Sequence, residues 1–368
     1  MHVTRMLDRI DRRAFSNALA AAGLSLVAMP LLRRPARAEN GATLFTWAGY
    51  DRPDLFAAYA DTYGGPPAIT IFGQEEEALQ KLRAGFAADV LHPCTYSVSR
   101  WRDADVIQPV DTGRLAHWGD LFDRLTTVEG TVFDGQHYLV PFDWGNASVV
   151  YRTDIVGEKY QEENSWEILY DPEYKGRLAM FDGETAAVGV AALVLGYDNP
   201  WSLSDEQLAE VQELMRKQRD LLRFYWTSQT EVQQAMASGE VVAAYAWNDA
   251  VVELKQQGVP VDYMNPKEGI FTWVCGLALH SEPPGSLDAA YALIDSMTSP
   301  DSGEILIQEF GLGHSNRKAF ERVPAERLEE LAISSPEALF ERGVFLKEVE
   351  PELKAKYIAT LEQVQAGI

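Results

Sequence analysis

Residues 44–64 read LFTWAGYDRPDLFAAYADTYG, and the fold is decided here. Leu44, Phe45 and Thr46 read as the end of a buried strand. Trp47, Gly49 and Tyr50 then make a turn. Pro53 suits a helix's first turn, where its fixed φ helps and its missing N–H costs nothing. Asp51 and Asp54 sit where carboxylates complement the positive end of that helix. Leu55, Phe56, Tyr59 and Tyr63 recur at helical spacing and give it a buried face. Trp47 and Tyr50 therefore stand where a strand ends and a helix begins, the edge at which open α/β sheets bind ligands. The competing reading places both rings in the core.

The same pattern recurs downstream. Residues 69–72 read as a strand, and Glu75 opens a helix with Ala78, Leu79 and Leu82 inward. A strand over 88–91 ends in His92-Pro93-Cys94-Thr95-Tyr96. Such alternation favours a largely parallel sheet. Residues 138–140 read as a strand, Pro141-Phe142-Asp143-Trp144-Gly145 as a crossover, and 147–151 as a strand. Residues 165–169 open a short helix, and a strand over 178–181 delivers Asp182, Gly183 and Glu184. Ser204 and Gln207 make a capping box for a helix over 204–222, with Leu208, Val211, Met215 and Leu222 on its apolar face. A strand over 241–246 ends in Trp247-Asn248-Asp249. Residues 269–279 form a strand with Trp273 and Cys275 on one face. Residues 287–297 and 304–310 read as surface helices, and the tail beyond Pro324 as acidic and helical.

Residues 1–38 read as an export leader. Asp11-Arg12-Arg13-Ala14-Phe15 resembles a twin-arginine signal, Ala18 to Leu32 is apolar, and Ala36-Arg37-Ala38 is a small-x-small cleavage site. The apolar run is shorter than the roughly 20 residues that a membrane span needs. The mature chain is expected to begin near Glu39. Loss of the leader removes seven Arg and two Asp, taking the net charge from −23 to −28. So acidic a chain argues against nucleic acid and anionic membranes as partners and is compatible with a cationic ligand. About 330 residues remain, enough for two α/β lobes. Cys94 and Cys275 are the two cysteines, too few for a disulfide framework, although one bond between them suits an oxidising compartment. The six histidines are scattered, and nothing has zinc spacing.

Eight short motifs occur in order. They are Trp47-x-x-Tyr50, Gln74-Glu75, Asp89-Val90 leading to Pro93-Cys94-Thr95-Tyr96, and Val140-Pro141-x-x-Trp144-Gly145. They continue with one that joins Ser165-Trp166 to Pro172-Glu173-Tyr174-Lys175-Gly176, then Trp247-Asn248, Pro266-Lys267-Glu268-Gly269, and Trp273 before Leu277-Ala278. Together they resemble the periplasmic spermidine/putrescine-binding proteins of ABC transporters. The resemblance implies an α/β fold of two lobes, each a doubly wound sheet, with the ligand cleft between them and hinge closure over the ligand. Residues 39–143 and 250–305 would form one lobe, 144–248 and 306–368 the other, with crossovers near 141–145 and 247–248. It also implies a monomeric, cofactor-free binding protein that delivers a small cationic molecule to a membrane permease.

By position, the family's aromatic box would be Trp47, Tyr50, Tyr96, Trp226, Trp247 and Trp273. Cation–π contacts in such a box are worth about 0.5–2 kcal/mol each. The carboxylates depart from the family. Cys275 stands where the family has an acid, Cys94 where it has Ser, and Phe345-Leu346 where it has a polar side chain. Asp143, Asp182, Glu184 and Asp249 remain as counter-charges, which leads us to expect a cation with fewer amines than spermidine. Three alternatives stay open. One is a ligand sensor on the same fold, and another is a binder of a non-polyamine solute such as an amino-acid derivative. The third is an enzyme or metal site using Cys94 or Cys275 with His92, which lacks a visible third orienting group.

Overall fold

In the computed structural model, which describes residues 41–368, the chain opens with β1 (Thr43–Trp47). The leader read at 1–38 and the mature start near Glu39 lie outside the described residues. A 3₁₀ turn over Pro53–Phe56 runs into α1 (Ala57–Tyr63), which buries Tyr59 while the turn buries Leu55 and Phe56. β2 (Ala68–Phe72), α2 (Glu75–Arg83), β3 (Val90–Leu91) and β4 (Ile107–Gln108) follow. Both β2 and β3 pair with β1 in parallel, as βαβ connections require.

β5 runs unbroken from Val140 to Arg152. The segment 141–145, read as a crossover separating strands at 138–140 and 147–151, is therefore itself strand. Pro141 is tolerated because it lies opposite Gly276, beside a bulge between Cys275 and Gly276 of the partner strand. β6 (Leu178–Phe181), α3 (Glu184–Val194), α4 (Asp205–Arg219), β7 (Leu222–Trp226) and β8 (Ala243–Trp247) come next. The capping box of Ser204 and Gln207 is present. Leu222, expected on the helix, instead starts β7, because α4 ends at Arg219. α5 (Asp249–Gln256), β9 (Val261–Tyr263), β10 (Ile270–His280), α6 (Leu287–Met297), β11 (Gly313–His314), β12 (Gly343–Phe345) and α7 (Pro351–Ala366) complete the frame.

Twelve strands form one sheet, in the order β2-β1-β3-β10-β5-β8-β6-β7, with β9 and β11 added to β5 and β4 and β12 to β10. Separate cores lie on the two sides of the β10–β5 seam. One side holds Leu44, Phe56, Val90 and Phe142 with α6, which buries Leu293, Ile294 and Met297 rather than lying on the surface. The other is built from Trp166, Leu178, Ala191, Val211, Ala244 and Tyr357. Residues 250–264, expected with the first side, contribute Ala250, Val251, Leu254, Val261 and Met264 to the second. No described helix is long and apolar enough to cross a membrane.

Candidate functional site

Three parallel strands end side by side, and each delivers a polar or aromatic group. After β1 the chain turns at Gly49, whose φ of +93° suits glycine, and Tyr50 N–H reaches back to Trp47 O at 3.4 Å. Trp47 is half-buried against Phe72, with ring centroids 4.6 Å apart, and its Nε1 is buried without a hydrogen-bond partner. After β2, Glu75 begins α2 with its side chain buried. Its Oε1 accepts from Cys94 N–H at 2.5 Å, while Oε2 has no partner. After β3 come Cys94, Thr95 and the half-buried Tyr96. Thr95 Oγ1 is likewise buried and unpartnered.

Burial pushes the Glu75 carboxyl up to about 8. The Cys94 N–H and the fields of Arg100 and Lys354 pull it back, and Glu348 adds to the rise. The Tyr96 phenol is raised by burial first and by Glu75 second.

At the seam, Trp247 ends β8 opposite Ala147 of β5, and Trp273 of β10 stands opposite Gly145 of β5. Positions 145 and 147 share a face, so both half-buried indoles project from the same side of the sheet. A Cβ at Gly145 would lie 2.5–2.9 Å from three atoms of the Trp273 ring, so the indole lies across the strand where no side chain obstructs it. Trp226 is fully buried and donates from Nε1 to Tyr245 O at 3.1 Å. It stands edge-on to Trp247, 5.3 Å away, and backs that ring.

Cys94 and Cys275 are bonded to each other, with Cα atoms 3.7 Å apart. The bond joins the first lobe edge to the strand that carries Trp273. It also consumes both thiols, so neither is a nucleophile as it stands. Among the described residues, no group of three or more His, Cys, Asp or Glu is placed to hold a metal ion.

The expected counter-charges differ in availability. Asp143 Oδ1 lies 2.9 Å from His92 Nε2, and Oδ2 accepts from the Tyr50 hydroxyl. Thr46 Oγ1 lies 2.8 Å from His92 Nδ1, and all four side chains are buried. Tyr50, raised by burial and by Asp143, is thus tied into a polar chain. Asp182 accepts from Gln365 Nε2 at 2.7 Å, and Glu184 lies 4.0 Å from Lys354 Nζ, both partners being on α7. Asp249 opens α5, half-buried, and its field helps raise the phenol of Tyr263. Glu75 and Thr95, whose buried oxygens lack partners, are not among the candidates the sequence singles out, although both lie within the quoted motifs. Nor does the sequence show His92 as the partner of Asp143.

Residues 54–332 match the model of the family described as bacterial extracellular solute-binding protein. The chain belongs to that family. Among its curated relatives, the spermidine/putrescine-binding periplasmic protein of Escherichia coli K12 is 27% identical over 312 residues, covering 83% of this chain and 86% of its own. The putrescine/agmatine-binding protein of Pseudomonas aeruginosa is 25% identical over 279 residues, 72% and 75% of the two chains. The spermidine/putrescine ABC transporter substrate-binding protein of Streptococcus pneumoniae superposes with a TM-score of 0.79 at 20% identity, covering 89% and 99% of the two chains. This extracellular solute-binding protein therefore has the two-lobed α/β fold of periplasmic binding proteins.

Proposed function

We propose that the protein is the solute-capturing component of an ABC importer, works in the periplasm, and delivers a small organic cation to a membrane permease. The observation that carries this is the aromatic set. Trp247 and Trp273 project from one sheet face at the β10–β5 seam, Trp47 and Tyr96 stand at the ends of β1 and β3, and all four rings are half-buried. Half-buried rings offer π faces to a cation or an alkyl chain. The lobes meet along β5 and β10, and closure about those strands encloses the solute.

The solute carries fewer cationic centres than spermidine. Asp143 is engaged with His92 and Tyr50, and position 275 is a bonded cysteine. A buried ammonium without a counter-charge costs more than one cation–π contact returns. A thermal-shift screen of putrescine, agmatine, spermidine and butylamine on the mature protein tests this. A ligand at 100 times its Kd stabilises by about 2.7 kcal/mol. A flat melting temperature with every amine overturns the cation reading. Sub-micromolar spermidine binding overturns the restriction on charge.

A further inference from the structure

We infer that Glu75 is the counter-charge for the cationic nitrogen of the solute, and that it receives that nitrogen at the carboxyl edge of β1, β2 and β3. The inference rests on the cation reading above.

Geometry is the first support. Glu75 is 6% exposed, and one of its two oxygens has no partner. Oε1 is anchored by the Cys94 N–H, which aims the carboxylate and leaves Oε2 for something else. A buried carboxylate oxygen ordinarily has a donor. Two other polar atoms at the same edge, Trp47 Nε1 and Thr95 Oγ1, are also buried and unpartnered. These unsatisfied groups come from the ends of three adjacent strands and flank residues that the aromatic set already uses.

Elimination is the second support. The charged groups whose fields reach Glu75 are Arg100, Lys354 and Glu348. Arg100 is paired with Glu76 at 2.9 Å and with Glu348 at 3.0 Å. Lys354 lies beside Glu184. Among the described residues no cation makes an ion pair with Glu75, and the neighbouring Tyr96 phenol is neutral. Asp143, Asp182 and Glu184 have protein partners, Asp89 accepts on both oxygens and Asp249 is only half-buried, so among the described residues Glu75 is the buried acid with an oxygen to offer.

The chemistry follows from the burial. With no cation present the carboxyl holds its proton at neutral pH. When an ammonium arrives, the O–H bond of Glu75 breaks and its proton goes to solvent. The carboxylate then accepts an N–H hydrogen bond from the ammonium, and net charge at the site is conserved.

Calorimetry of putrescine at pH 7 in phosphate and in Tris, whose ionisation heats differ, reads the proton count directly. We expect release of about one proton per putrescine bound, and none in Glu75→Gln. Glu75→Gln keeps an oxygen for the Cys94 N–H, so the fold is retained, and its Kd for putrescine should be weaker by roughly tenfold or more. An unchanged Kd and proton count in Glu75→Gln overturn the assignment. Binding to the parent protein without proton release also overturns it, and needs no variant at all. Absence of binding by putrescine, agmatine and butylamine to the parent is a different failure, that of the cation reading itself.

Discussion

His92 Nε2 and Asp143 Oδ1 stand 2.9 Å apart, and neither side chain reaches solvent. The contact fastens the crossing strand β5 to the end of β3. Tyr50 holds the other oxygen of Asp143 and Thr46 the other nitrogen of His92. Each group in this chain is satisfied only while its neighbour is present. Removing one member strands the rest, at about 1–3 kcal/mol for each buried polar group left alone. Asp143→Ala should therefore lower stability by about 3 kcal/mol or more, read as a shift in urea midpoint. The double variant His92→Leu/Asp143→Leu should cost less than the two single changes added together. Additive costs would show that the two side chains are not coupled.

The Cys94–Cys275 bond closes a loop between positions 181 apart in sequence. Cross-linking so long a loop restricts the unfolded chain, and such bonds typically contribute about 2–4 kcal/mol. Reductant, or Cys94→Ser with Cys275→Ser, should lower the melting temperature of the mature protein. Identical melting curves with and without reductant would show that the bond is not formed in solution.

Gly145 makes room for the Trp273 indole. Gly145→Ala should displace that ring, weaken solute binding and shift tryptophan emission, at a stability cost of about 1–3 kcal/mol from overpacking. Trp247→Ala should weaken binding more than twofold while leaving Trp226 in its core position. A Kd within twofold of the parent in both variants would place the aromatic site elsewhere.

Two buried groups give stability opposite pH slopes. Glu75 is raised from 4.5 to about 8, so the folded state holds a proton that the unfolded chain has released. Its contribution is full below pH 4.5 and is lost as pH rises toward 8. His314, its Nε2 3.1 Å from Met297 O, is lowered from 6.5 to about 4 by burial. Its contribution is full above pH 6.5 and is lost as pH falls toward 4. Denaturation of the parent and Glu75→Gln from pH 5 to 8 isolates the first effect. The variant should gain on the parent with rising pH, by up to about 4 kcal/mol at pH 8. A constant gap across that range would mean that Glu75 titrates as an ordinary surface acid.

What was legible in the sequence was whatever repeats at short range. The edge carrying Trp47 and Tyr50 follows from a strand, a glycine turn and Pro53, all within a dozen residues. The capping box of Ser204 and Gln207 is equally local. Long-range pairings left no such trace. Cys94 meets Cys275, and His92 meets Asp143, because strands distant in sequence are neighbours in the sheet. Pro141 and Gly145 look locally like a break between two strands, but pairing with β10 keeps them extended. Glu75 begins a run of three glutamates at the start of α2, and only the packing shows that the first of them is buried. Trp226 and Trp247 both end strands, and only packing decides that one backs the other.

β5 and β10 are laced together through seven residue pairs, from Phe271 opposite Ala147 to Leu277 opposite Val140. A joint made of free loops would swing with little resistance. Here the two strands sit at the centre of the twelve-stranded sheet, and rotating one lobe against the other would twist that sheet, with the bulge at Cys275 and Gly276 as its most compliant point. In the function proposed above, solute capture would wind these strands like a torsion spring, and their recoil would help to reopen the protein once the solute has gone.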